Sequence, residues 1–261
     1  MVARLTIHFL TFADGSSDLR AAAARLASQA HETGWFQSCA GWHTEDLRII
    51  SSDWVTKHQD FLVGNKRGYG YWIWKPFMIF ERLKMMPMNS FLVAADSGYE
   101  ISPSGLTRFN QYIEMAAAHD LLGFQIDEKI GKWTKGDLLS YFDVNQQSPL
   151  LQDKQIQSGF LIVKKTYSTM LFFSHWAEVA IARNYSLIND APSIVPNPTG
   201  FAEHRHDQAI LTLIARLGNF GYFPESEDYH PELFATGKYY SMYPFQCFRN
   251  KTGIRRISAN L

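Results

Sequence analysis

The stretch Phe91–Ile101 (FLVAADSGYEI) constrains this chain more than any other. Five apolar residues in a row, with Pro87 and Asn89 before them and Ser102-Pro103 after, read as a fully buried strand of a mainly parallel sheet. A carboxylate at the end of such a strand stands in the crevice where open α/β sheets hold ligands. If the chain stays extended past the strand, Asp96, Gly98 and Glu100 share one face. Gly98 would then let a ligand, phosphate or metal come close to the backbone.

The rest of the chain supports a folded α/β protein. Its 261 residues are 46% hydrophobic and 15% aromatic, enough for a substantial core. Lys plus Arg equals Asp plus Glu at 25 each, which gives no case for a nucleic-acid partner. Cys39 and Cys247 read as reduced thiols, and with no signal-peptide pattern at Met1–His8 the expected location is cytoplasmic. No apolar run approaches the ~20 residues of a membrane helix. No internal repeat or linker is visible, so residues 1–261 are expected to form a single domain.

Residues 5–13 predict the first strand, ending in the turn Asp14-Gly15-Ser16. A helix capped by Ser16 or Ser17 follows and ends at Gly34, with Leu19, Ala22, Ala23, Leu26 and Ala30 on one stripe. No Gly-x-Gly-x-x-Gly is present, which argues against a dinucleotide site or a P-loop. Residues 35–66 read as packed and partly irregular. The string RGYGYWIWKP then leads into a helix in which Pro76 takes the first position. Lys75 therefore sits at a helix N-terminus, unfavourable for a cation unless an anion binds there too.

Beyond the acidic tip, Ser102-Pro103 opens another helix, 121–126 and 155–163 read as strands, and 167–183 as a long apolar helix. The Pro- and Asn-rich loop 189–200 suits a mobile or covering segment. It delivers the chain to Glu203-His204-Arg205-His206-Asp207-Gln208, the densest polar cluster, at the start of a helix with Ile210, Leu213, Ile214 and Leu217 on one stripe.

The order of a strand with an acidic tip, a strand carrying Gln157-Ser158-Gly159-Phe160, and a helix opening with Asp207-Gln208 resembles the GT-A-fold glycosyltransferases, especially the retaining glycogenin-like and galactosyltransferase-like enzymes. The strings GYWIWKP, DSGYE, KWTKGD and HRHDQ resemble those of uncharacterised bacterial proteins from surface-polysaccharide loci. The resemblance spans residues 5–215. It implies a single Rossmann-related domain with a mixed, mainly parallel sheet flanked by helices, in which 1–101 form the donor half and 102–261 the acceptor half and tail. The chain departs from the family pattern at Asp96-Ser97-Gly98, which lacks the second carboxylate of Asp-x-Asp, and at Gln157, where Asn is usual.

What the resemblance implies is transfer of a sugar from a nucleoside-diphosphate donor, expected to be UDP-linked, to a glycan or lipid-linked acceptor. Such a reaction must neutralise the departing diphosphate, through a divalent cation or fixed Lys and Arg donors. Asp96, Glu100 and His206, with His204 as another candidate, are the expected ligands for Mn²⁺ or Mg²⁺. Asp14, Lys75, Asp96, Ser97, Gly98 and Arg205 are candidates for the donor diphosphate. Gln157, Ser158, Gly159 and Trp133 are candidates for the acceptor sugar, and Asp207 and Gln208 for catalysis, Asp207 as general base if the reaction inverts. Lys251, Arg255 and Arg256 give the tail a charge suited to peripheral contact with an anionic membrane surface. A binding scaffold that lost its metal site, or a metal-dependent phosphohydrolase or nucleotidyltransferase, are the competing readings.

Overall fold

The computed structural model describes residues 5–229 and 240–257, so Met1–Arg4 of the expected first-strand pattern lie outside the described residues. The chain runs through β1 (Ile7–Phe12), α1 (Ser17–Thr33), β2 (Ser38–Trp42), α2 (Thr44–Ile50), α3 (Ser52–Gly64) and α4 (Trp74–Lys84). It continues with β3 (Phe91–Ala95), β4 (Tyr99–Ile101), α5 (Leu106–His119), β5 (Leu121–Leu122), β6 (Gln125–Lys129) and α6 (Gly136–Tyr141). Last come β7 (Lys154–Ile156), β8 (Phe160–Lys164), α7 (Tyr167–Ile181), α8 (His206–Leu217) and β9 (Phe245–Cys247).

Five strands form the main sheet in the order β2-β1-β3-β8-β5. β1 pairs in parallel with β2 and β3, whereas β8 is antiparallel to β3 and to β5. Four strands therefore share one direction and β8 alone opposes them, which is the expected mixed, mainly parallel sheet. Strands from both halves of the chain build it, so the halves share one core.

Strict alternation along β3 divides that core in two. Leu92 and Ala94 join Leu10, Leu161 and Val163 on one face, covered by α4, α7 and α8. Phe91, Val93 and Ala95 join Phe9, Phe160 and Ile162 on the other, covered by α1, α5 and Phe245 of β9. β3 is buried along its whole length, and each large side chain so buried contributes roughly 1.5–3 kcal/mol. The first helix is fixed as its sequence demands: Ser16 accepts from the Leu19 N–H and Gly34 closes it at φ 68°.

Three regions depart from the expected elements, one of them 121–126, expected as one strand, which divides between β5 of the main sheet and β6 paired with β7. Residues 35–66, expected to be irregular, form an edge strand and two helices. β2 carries Ser, Cys, Ala and Gly because α1 passes close over it: a Cβ on Gly41 would lie 3.0 Å from the Ala23 carbonyl oxygen. Residues 155–163, expected as one strand, form β7 and β8 with Gln157-Ser158-Gly159 between them.

Glu100 governs the C-terminal segment. It lies on β4, which pairs with β9, and is 0% exposed. Its carboxylate accepts from the Arg256 and Ile257 N–H groups (2.9 and 2.7 Å) and from Asn250 Nδ2 (2.6 Å). Arg25 lies 3.6 Å from it and donates to the carbonyls of Ser97, Tyr99, Asn250 and Thr252. Breaking a buried pair of this kind costs about 3–5 kcal/mol, because the partner charge is left behind. Glu100→Gln is therefore expected to lower stability by about that amount in urea denaturation; an unchanged midpoint would contradict the clamp.

His58 is 2% exposed, lies between the Trp54 and Tyr185 rings and bonds to Tyr185 Oη at 2.7 Å. Burial, with help from Lys57, pushes its pKa down to about 4. The unfolded chain then binds a proton that the folded chain refuses, so this contribution is complete above the unfolded value and is lost as pH falls from about 6.5 towards 4. Melting temperature should drop as pH is lowered from 7.5 to 5, and His58→Gln should flatten that slope.

Candidate functional site

A cleft of about 890 Å³ opens where β1 and β3 end, between those strand tips, the start of α8 and the chain around 158. Among its charged groups Lys75 is buried. The approach to Lys75 is a left-handed turn in which Gly68, Tyr69, Gly70, Tyr71 and Trp72 have φ of 60, 49, 81, 53 and 62°. Holding non-glycine residues there costs about 1–2 kcal/mol each. Glycine is required at 70, where a Cβ would lie 3.0 Å from Leu62 Cα. The turn is held by a bond from Trp74 Nε1 to the Gly68 carbonyl and another from the Gly70 N–H to the Asn65 carbonyl.

α4 begins at Trp74, so Lys75 sits in its first turn, and only 4% of Lys75 is exposed. The anion that such a lysine demands is supplied by the protein. Nζ lies 2.9 Å from Asp96 Oδ1 and 3.0 Å from Asp207 Oδ2, and it donates to Ser158 Oγ at 3.2 Å. Burial opposes the ammonium, but Asp207 and then Asp96 outweigh it and raise the Lys75 pKa. Asp207 is 4% exposed, whereas 39% of the Asp96 side chain opens to the cleft. Gly159 makes room for this arrangement: a Cβ there would lie 3.2 Å from Asp96 Oδ2.

The cleft also gathers Asp14, Ser97, Gly98, Trp133, Gln157, Arg205, His206 and Gln208. Several already have partners. Asp14 accepts from the Gly15 and Thr44 N–H groups and from Arg20 Nε. Burial opposes its ionisation, yet these donors win and lower its pKa. Gln157 donates to Asp228, which also accepts from Tyr99 Oη and Ser226 Oγ. The Arg205 guanidinium lies 4.3 Å over the Trp133 ring and pairs with Glu203. Arg205 Nε and Gln208 Nε2 are buried without a hydrogen-bond partner.

The expected ligands Asp96, Glu100 and His206 do not assemble. The chain turns at Ser97-Gly98 instead of staying extended, and sends Glu100 into the clamp described above. The absent side chain of Gly98 makes room for the tail, since a Cβ there would lie 3.1 Å from Arg249 Cα. His206 Nε2 bonds to Asp190 at 2.9 Å and its ring stacks on Tyr71. His204 is engaged by the Leu187 carbonyl. With Lys75 on Asp96, these residues do not fit a divalent cation, and no group of three or more His, Cys, Asp or Glu among the described residues is arranged to hold one.

Loop 189–200 is tied down. Lys135 donates to the carbonyls of Asn189 and Ala191, and Asp137 accepts from the Ile194 and Val195 N–H groups. Asp190 thereby reaches both His206 and Arg67, a role that no motif in the sequence marks. The tail adds Arg249 and Lys251 to the cleft wall. Arg255 pairs with Glu32 and Arg256 lies over Phe248, so part of the charge expected to meet a membrane has partners within the protein. No helix among the described residues is long and apolar enough to cross a membrane. Both cysteines are free.

No family model and no curated protein sequence matches the chain. Among solved structures it is similar to mouse xyloside xylosyltransferase 1 in its apo form, at 12% identity and a TM-score of 0.43, over 86% of this chain and 85% of that one. It is also similar to a glycosyltransferase involved in glycosylation of the major capsid of PBCV-1, at 9% identity and a TM-score of 0.33, over 68% of each chain.

Lys75→Met should cost about 3–5 kcal/mol, since it strands two carboxylates. Adding Asp207→Asn should recover part of that loss. A double-mutant cycle by chemical denaturation should give a coupling on the order of 1–3 kcal/mol; additive costs would show that the pair does not interact.

Proposed function

We propose that this protein is a glycosyltransferase of GT-A-like fold that moves a sugar from a nucleoside-diphosphate donor to a hydroxyl of a glycan acceptor. The observation that carries this reading is the convergence of Asp96, Lys75, Ser158, Asp207 and Gln208 in one cleft at the strand ends. The cleft's charge supports an anionic donor: Lys66, Arg67, Lys75, Arg205, Arg249 and Lys251 line it against Asp14, Asp96 and Asp207. Trp72, Trp74, Trp133 and Tyr69 supply aromatic walls suited to a base or a sugar face.

In the reaction, the bond between the anomeric carbon and the β-phosphate oxygen breaks and its electron pair leaves with the diphosphate. The acceptor oxygen forms the new bond to that carbon. Asp207 lies 3.0 Å from the Lys75 ammonium, which places a carboxylate where the oxocarbenium centre would develop. Gln208 lines the cleft beside Asp207, and its amide is the candidate group to hold sugar hydroxyls. The acceptor proton then passes to the departing phosphate oxygen on the same face, so configuration is retained. A UDP-linked donor and a role in building a bacterial surface polysaccharide are the specific form of this reading.

Asp207→Asn should lower kcat by about 10²–10³-fold while leaving donor binding measurable, and NMR of the product should show the donor's anomeric configuration. Inverted product would move the proton acceptor to a protein carboxylate. A second reading, a non-catalytic nucleotide- or glycan-binding scaffold, is favoured by the withdrawal of Glu100 from the cleft. Release of nucleoside diphosphate from a sugar donor by the wild type, but not by Asp207→Asn, would exclude it.

A further inference from the structure

We propose that the donor diphosphate binds this cleft without a divalent cation, because the Lys75 ammonium already fills the space between Asp96 and Asp207. This inference rests on the donor reading above and refines it. A bridging cation would need oxygens of both carboxylates turned towards it, as hard divalent ions require. Here one oxygen of each lies 2.9 and 3.0 Å from Nζ instead. Both contacts are ion pairs, and the aligned hydrogen bond of Nζ goes to Ser158 Oγ.

Lysine cannot swing away at little cost. It is 4% exposed and leaves the first turn of α4, whose flank Trp74 is fixed by its bond to the Gly68 carbonyl. Expelling the ammonium would leave a buried charge unpaired, at several kcal/mol. The other carboxylate with which the tip might hold a metal, Glu100, is 0% exposed and accepts from the Arg256 and Ile257 N–H groups.

Charge balance then falls to other groups. Two carboxylates against one ammonium leave the centre with a net negative charge, which cannot by itself neutralise a diphosphate. Lys66, Arg249 and Lys251 line the same cleft, and none has a carboxylate partner in an ion pair among the described residues. Arg249 lies over the Tyr229 ring, 5.4 Å from its centroid. Such side chains are compact or forked donors for phosphate oxygens.

The experiment is calorimetric titration of the full chain with uridine diphosphate and guanosine diphosphate, in excess EDTA and again in Mn²⁺. The expected result is binding of one of them in EDTA, with an affinity that Mn²⁺ changes by less than about threefold, and no shift in melting temperature from Mn²⁺ alone; a bridging metal supplies several kcal/mol and would show. Asp96→Asn should bind the diphosphate a few times more tightly in EDTA, on the order of two- to tenfold, because an anion beside the ligand is removed. Tenfold or greater dependence on Mn²⁺, abolished by Asp96→Asn, would overturn the inference and leave the donor reading standing. Binding of neither diphosphate under either condition would overturn the donor reading, and the inference with it. Because the wild type and Asp96→Asn carry the test, it does not require Lys75→Met to fold.

Discussion

An ammonium group held between two carboxylates at the mouth of a mixed, mainly parallel sheet is the contact on which the rest of this molecule is arranged. Each partner arrives from a different part of the chain. Lys75 comes from the first turn of a helix packed on one sheet face, Asp96 from the tip of the central strand, and Asp207 from the start of α8. Taking one such charge out of water costs several kcal/mol after relaxation, and only a close partner offsets it. The three segments therefore cannot drift apart independently, and their meeting point is the floor of the cleft.

Local strain is what makes the meeting possible. The left-handed run from Gly68 to Trp72 leads directly into α4, whose second residue, Lys75, reaches Asp96 at the strand end. Three of those five residues carry side chains in a conformation that L residues avoid. The side chains are also in use: Tyr71 and Trp72 pack on His206, and Tyr69 accepts a hydrogen bond from Thr44. Strain of this sort persists where surrounding contacts over-determine it, and such places cluster at functional sites.

Much of the site was legible in the sequence, for identifiable reasons. A buried apolar strand with an acidic end can stand in few places in an α/β fold, so Asp96 was well placed from its neighbours alone. Lys75 at a helix start signalled a missing anion, and the structure supplies that anion from within. Glu100 was misplaced because alternation was carried through Ser97-Gly98, where the chain turns. Its true partners, Arg25 and the backbone of Arg256 and Ile257, lie far off in sequence, and no local pattern encodes them. Likewise β2 was unreadable because its small residues answer to α1 packed above it and not to a strand period. Asp190 and Asp228 are single acids in loops whose roles arise only from tertiary contact with His206 and Gln157.

The clamp around Glu100 connects these points to the cleft's charge. The same carboxylate that was withdrawn from the strand tip anchors residues 250–257, and that anchoring sets the backbone of Arg249 against Gly98. The tail's cations thus reach the cleft by way of Glu100. Buried under the tail, it brings Arg249 and Lys251 to the cleft wall. One acidic residue, carried under the tail by a turn of two residues, therefore holds the segment that brings Arg249 and Lys251 to the cleft.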